Sequence, residues 1–225
     1  MTPLVSIVVP MRNEIGAIEG LLSHLGGWRA LGCEVVIVDG QSSDGSAEAA
    51  RAAGFGVIDS APGRARQMNE GARAALGSML LFLHADTTLP PNALDEIARV
   101  RGDGIGWGRF DVRIAGKPFM LRLVAAMINV RSRLTGIATG DQAIFVARDL
   151  FKAVGGFPDQ PLMEDIEISH RLRAHARPAC LSARVTTSGR RWESRGVWRT
   201  ILLMWRLRRA YWRGVPAEVL AQAYP

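Results

Sequence analysis

Four short stretches of this chain carry residues able to do chemistry. The greasy run Leu80-Leu81-Phe82-Leu83 stops at His84, and Asp86 follows two residues later. The run Val5–Val9 ends in Pro10-Met11-Arg12-Asn13-Glu14, and Val35–Val38 ends in Asp39-Gly40. Further on, Gly155-Gly156-Phe157 precedes Met163-Glu164-Asp165. A carboxylate after a strand is an acceptor-only group that can receive a ring N–H, hold an oxygen-seeking cation or take a proton from a hydroxyl. A lone acid there is often only a helix cap, and Glu164-Asp165 could simply complement the positive end of a helix. Convergence of several acids on one sheet edge has no such bland explanation in a chain of formal net charge +7.

The elements that must position these groups follow from pattern. Short β-branched runs at Leu4–Val9, Glu34–Val38, Gly56–Ser60 and Met79–Leu83 read as strands. Apolar residues at helical spacing predict helices over Gly16–Leu25, Ser46–Ala53 (capped by Ser43/Asp44), Ala65–Ala75 and Pro91–Val100. Alternating strands and helices with short turns predict an α/β fold with a mostly parallel, doubly wound sheet, its carboxyl edge collecting Glu14, Asp39 and Asp86. The remainder is mixed, with strands expected at Trp107–Ile114, Gln142–Val146 and Ala179–Thr186, and helices at Met120–Arg131 and Asp165–Ala174. No repeat or low-complexity tract interrupts it, so 1–225 reads as one domain: a nucleotide-binding half over 1–100, an acceptor and catalytic half over 101–195, and a tail over 196–225.

Composition narrows the class. Hydrophobic residues form 48% of the chain, which argues against disorder. Arg greatly outnumbers Lys, and guanidinium groups grip phosphate with paired hydrogen bonds. No nucleic-acid-binding motif accompanies that charge, so no nucleic acid is expected as a partner. Cys33 and Cys180 lack metal or disulfide spacing, and no apolar run nears the ~20 residues of a membrane span. The expectation is a cytoplasmic protein.

Taken together the stretches resemble the family 2 glycosyltransferases, which have the GT-A fold. The similarity is strongest to small soluble bacterial members marked by Gly63-Arg64-Ala65-Arg66-Gln67-Met68-Asn69 and His84-Ala85-Asp86. The resemblance implies an inverting, metal-dependent transfer of a sugar from a nucleotide-sugar donor, most simply UDP-linked, to a hydroxyl acceptor. Pro10, Asn13, Glu14, Asp39 and Arg64 would then bind the donor, with Asp39 accepting from the uracil N–H. Asp86 would hold Mn²⁺ or Mg²⁺, and Asp165 would be the general base. His84 departs from the family, which usually has an acid there; it could ligate Mn²⁺, contact the ribose or pack. Ser188-Gly189-Arg190-Arg191-Trp192 loosely matches a family motif that starts with Gln, leaving Arg191 and Trp192 as phosphate or acceptor contacts. Asp141, Gln142 and Glu164 are further acceptor-side candidates, with ordinary loop hydrogen bonding as the alternative for Asp141 and Gln142. An inactive nucleotide-binding scaffold of the same fold is disfavoured by the intact acids. A nucleotidyltransferase is disfavoured because Pro10–Ile15 offers no Gly-rich phosphate loop.

The tail differs in kind. Residues 197–213 mix Trp198, Trp205, Tyr211 and Trp212 with Arg199, Arg206, Arg208, Arg209 and Arg213. This basic amphipathic helix either lies peripherally on an anionic membrane or packs on its own domain or a second subunit.

Overall fold

The computed structural model describes residues 3–224. Its centre is an eight-stranded sheet. Strand β1 (Val5–Met11) runs parallel between β2 (Glu34–Asp39) and β4 (Met79–Phe82), and β3 (Val57–Asp59) extends the parallel half beyond β2. On the other side of β4, β7 (Phe145–Ala147) is antiparallel to both β4 and β6 (Trp107–Ile114). Strand β8 (Ala179–Thr187) runs parallel to β6 and pairs at its end with the two-residue β5 (Thr87–Thr88). The spatial order is β3-β2-β1-β4-β7-β6-β8-β5. This is the α/β architecture expected from the pattern, parallel first and mixed later.

Both faces of the central strands are covered, which is why they read as continuous apolar runs. On one face Ile7, Val9 and Ile37 pack against Leu21, Leu25 and Trp28 of α1 (Ile18–Ala30). On the other, Val8, Val38 and Phe82 meet Ala65, Met68 and Ala72 of α3 (Arg64–Ala74) and Ile168 and Leu172 of α7 (Glu164–His175). Helix α3 sits very close to the sheet: a Cβ on Gly71 would come within 2.4 Å of a Val8 methyl. Helices α2 (Ser46–Ala52), α4 (Ala93–Gly102) and α5 (Met120–Thr135) complete the layers.

Several boundaries differ from the sequence reading. The strand expected over Gln142–Val146 is instead a 3-10 turn over Gly140–Gln142 followed by the strand Phe145–Ala147. Thr139 and Gln142 form a reciprocal cap, and Ala143 is left-handed at φ 47°, so the chain cannot extend before Ile144. The N-cap position of α2 is Gly45, left-handed at φ 88°, and Asp44 before it accepts the first helical N–H, that of Ser46, at 3.0 Å. The strand β5 and the short helices α6 (Arg148–Ala153), α8 (Arg190–Arg195) and α10 (Ala217–Gln222) were too brief to announce themselves by periodicity.

The basic tail is helix α9 (Val197–Trp212). Part of it packs on its own domain: Leu207 joins Ile137, Leu162, Met163, Ile166 and Leu220 in a separate small core. Trp198, Leu202, Trp205 and Trp212 remain exposed. Among the described residues no helix is long and apolar enough to cross a membrane.

Candidate active site

The carboxyl ends of β1 and β2 are stitched together before any ligand is considered. Asn13 adopts a left-handed conformation, φ 55°, which turns its side-chain oxygen to accept the Ser43 N–H at 2.9 Å. The Ser42 hydroxyl receives the Asn13 N–H, and the Ser46 hydroxyl receives that of Glu14, each at 2.9 Å. Asp44 accepts from the Ser46 hydroxyl at 2.5 Å, from Ile15 N–H at 2.9 Å and from Ser46 N–H at 3.0 Å, so its carboxyl lies below the usual range, chiefly through the hydroxyl. Asp39, almost wholly buried, accepts both the Ser42 N–H (2.9 Å) and its hydroxyl (2.5 Å).

The stretch Gly63–Asn69 has three structural duties. Gln67, itself buried, donates its side-chain amide to the carbonyls of Met11 and Val38 at 2.9 and 2.8 Å, clamping the tips of β1 and β2. Asn69 exchanges a pair of hydrogen bonds with the backbone of Phe157, tying α3 to the Gly155-Gly156-Phe157 turn. Arg64 points into a cleft, where one guanidinium nitrogen lies 3.4 Å from Glu164.

That cleft has a volume of about 680 Å³. Pro10, Glu14, Arg64 and Asp86 line it, as do Asp141, Glu164 and Asp165, and Arg191 and Trp192 of α8. His84 lines it as well. Three sequence candidates stand elsewhere. Asn13, which is exposed, and Asp39, which is buried, belong to the stitched loops and do not line the cleft, although Asp39 is the register partner of the cleft residue Met11. Gln142 has no exposure, and its side-chain amide lies 3.5 Å from both the Phe110 carbonyl and the Asn129 side-chain oxygen. The structure therefore corrects the acceptor reading of Gln142: it holds the turn and does not reach the cleft. Glu14 reaches the cleft but is also paired with Arg190 at 3.3 Å, a contact that draws α8 towards the tip of β1.

Asp165 sits in the first turn of α7, behind the left-handed Met163 that starts the helix. Its two oxygens accept the N–H groups of Gly140 (2.9 Å) and of Ile166 (2.8 Å), which fixes the plane of the carboxylate. Each oxygen keeps a lone pair. Glu164, buried beside it, has its carboxyl pushed up by desolvation and by Asp165, with Arg64 opposing. Desolvation would raise the Asp141 carboxyl too, but His84, with Arg64 and Arg191, outweighs it and brings Asp141 below the usual range. Asp141 stands 3.6 Å from His84 Nδ1.

The donor set was tested against a divalent cation. Asp86 faces the cleft, and its nearest protein partners are the Thr87 and Thr187 hydroxyls at 3.3 and 3.5 Å, so its oxygens are largely free. His84 Nε2 is buried and unpartnered, pressed against Gly140. Among the described residues no group of three or more His, Cys, Asp or Glu is gathered as a metal cage. Asp86 fits a hard cation as a single carboxylate, the remaining ligands being phosphate oxygens and water, a habit of Mg²⁺ in particular.

Two cleft residues escaped the sequence reading. Arg131, on α5, and Arg208, on α9, both line it. Their signal was available only as helical spacing with Val124 and Ile128, and with Ile201 and Met204.

The fold and cleft define a GT-A protein with acids gathered at the sheet's carboxyl edge. The family model described as Glycosyl transferase family 2 matches residues 6–104, under half of the chain. An uncharacterised protein of Mycobacterium tuberculosis is 32% identical over 102 residues, covering 43% of this chain and 32% of its own. Staphylococcus aureus TarS, solved with UDP-GlcNAc, superposes with a TM-score of 0.64 at 21% identity, covering 82% of this chain and 58% of the TarS chain. A mannosyltransferase from Pyrobaculum calidifontis, solved with GDP-Man and Mn²⁺, gives 0.64 at 23% identity over 93% of this chain and 61% of its own. Glucosyl-3-phosphoglycerate synthase from Mycobacterium tuberculosis, solved with Mn²⁺, UDP and glucosyl-3-phosphoglycerate, gives 0.58 at 18% identity over 82% and 71%. The chain thus spans about a third of the curated relative and under two thirds of the TarS chain.

Proposed function

We propose that this protein transfers a glycosyl group from a nucleotide-sugar donor, UDP-linked in the simplest reading, to a hydroxyl acceptor with inversion at the anomeric carbon. The observation that carries the reading is that Asp86 and Asp165 line one cleft at the carboxyl edge of a GT-A sheet. Ligands of open α/β sheets bind outside the carboxyl ends of the strands.

The donor nucleoside would lie over Pro10 and Glu14, with Asp39, the register partner of Met11, beside the base and Arg64 towards the diphosphate. Asp86 would hold Mn²⁺ or Mg²⁺; when bound, that ion neutralises charge on the departing diphosphate. Asp165, oriented by two backbone N–H groups, would accept the proton of the attacking hydroxyl. A single displacement with the base across from the leaving group inverts the centre. Arg191 and Trp192 are proposed to close the cleft from above. The exposed tryptophans of α9 support a contact through 197–213 with a membrane surface or a second copy.

Calorimetric titration of UDP, with Mn²⁺ and with EDTA, tests the donor side. Binding is expected only with the metal and is expected to vanish in Asp86→Ala. UDP affinity that ignores both EDTA and Asp86→Ala would remove the metal assignment, and tighter binding of GDP or CMP would remove uridine.

A further inference from the structure

Helices α5 and α9 present matching faces to the cleft. Val124, Ile128 and Arg131 follow one another at helical spacing on α5, and Ile201, Met204 and Arg208 do so on α9; all six line the cleft. Each helix therefore offers an apolar strip that ends in an arginine. The Nε and Nη2 of Arg131 and the Nε of Arg208 are inaccessible to water and have no hydrogen-bond partner among the described residues. Neither arginine takes part in any ion pair among those residues. Desolvation, and then repulsion from Arg208, lower Arg131 to about 10, while Asp165 and Asp141 act on it from the cleft side.

Three guanidinium nitrogens, two on Arg131 and one on Arg208, are thus shut off from water and unpaired, which is costly unless something anionic completes the two groups. Asp165 is close enough to influence Arg131 but does not bond to it. The space between the arginines and the proposed base is therefore taken as the acceptor side. A phosphate monoester suits two guanidinium groups, because each can donate a parallel pair of hydrogen bonds to its oxygens. The half-buried strips of Ile128, Ile201 and Met204 are apolar cleft surface that a soluble sugar phosphate would leave uncovered and an alkyl chain would cover.

We infer that Arg131 and Arg208 form an anion subsite for the acceptor, and that the acceptor is a phosphate-bearing amphiphile whose apolar part lies between α5 and α9. The inference rests on the transferase reading above for the word acceptor; the subsite itself does not need it. The phosphate is the anchor, and the attacking hydroxyl is a separate group of the same molecule.

The test titrates octyl phosphate, inorganic phosphate and 1-octanol into the wild-type chain and into Arg131→Gln and Arg208→Gln, with thermal melts confirming folding. Arg131→Lys and Arg208→Lys serve if a Gln variant does not fold. Octyl phosphate is expected to bind the wild type at least about tenfold more tightly than either partial ligand. It is expected to weaken by about tenfold or more in each arginine variant. UDP with Mn²⁺ should bind all variants within about threefold of wild type. Unchanged octyl phosphate affinity in the variants overturns the subsite. Equal affinity for octyl and inorganic phosphate overturns the apolar half. Parallel loss of UDP affinity assigns the arginines to the donor instead. Failure of UDP to bind even the wild type sinks the transferase reading and leaves the octyl phosphate result to judge the subsite alone.

Discussion

The Cε1–Nε2 edge of the His84 imidazole lies against Gly140, so close that a Cβ at Gly140 would fall 2.4 Å from the ring. The same glycine gives its N–H to Asp165. One backbone position thus sets both the end of β4 and the orientation of the proposed base, 25 residues further along the chain. Gly140→Ala is expected to cost about 1–3 kcal/mol of stability by overpacking, read as a lower melting temperature. The double variant Gly140→Ala/His84→Ala should recover most of it, because the added methyl then occupies the ring's space. A melt unchanged by Gly140→Ala would show that the ring moves away freely.

Asp165→Asn is expected to leave UDP binding intact and to lower transfer by about 100-fold or more, since general-base contributions are of that order. Initial rates of UDP release, measured alongside calorimetry, separate the two. Transfer that survives the substitution would take the base role from Asp165.

Glu164 supplies a pH signature. Its carboxyl is raised by burial and by Asp165, so the folded chain holds the proton more tightly than the unfolded one. Its contribution is therefore fully present below the unfolded value, near about 4.3, and is lost as pH rises through the folded value. Glu164→Gln removes this titration. The melting temperature of wild type relative to Glu164→Gln should fall as pH climbs above about 4, then level off. A difference that is constant with pH would show that Arg64, 3.4 Å away, cancels the burial effect.

The buried pair Arg109 and Asp111 should matter for folding. Arg109 has no exposure and bonds to Asp111, to the Ser132 hydroxyl at 3.0 Å and to the Asn129 carbonyl at 3.3 Å. Arg133 reaches the other oxygen of Asp111 at 2.7 Å. Asp111→Ala strands a buried guanidinium and is expected to cost about 3–5 kcal/mol in a denaturant titration. A loss below about 1 kcal/mol would mean that water or Ser132 satisfies Arg109.

The parallel half was legible because its strands are buried on both faces and its helices carry a single apolar side. Val5–Met11, Glu34–Asp39 and Met79–Phe82 fall within two residues of the runs read from pattern. The region around residue 142 was misread because a Gln in a reciprocal cap and a left-handed alanine carry no periodic signal. Gln67 and Asn69 belonged to a noticed motif, yet their partners, Met11, Val38 and Phe157, lie 29 to 88 residues away.

The sequence alone determined which residues are acids at strand ends, because a buried apolar run followed by a carboxylate is a local pattern. It also determined that these strands share a parallel sheet, since helix and strand alternate. Only the tertiary structure decided that Asp86 and Asp165 open on one cleft while Asp39, Asn13 and Gln142 are not part of its lining. The same holds for the meeting of Arg131 and Arg208 there without a counterion among the described residues. Burial and hydrogen bonding between distant segments set those outcomes, and such contacts leave no trace in the spacing of neighbours along the chain.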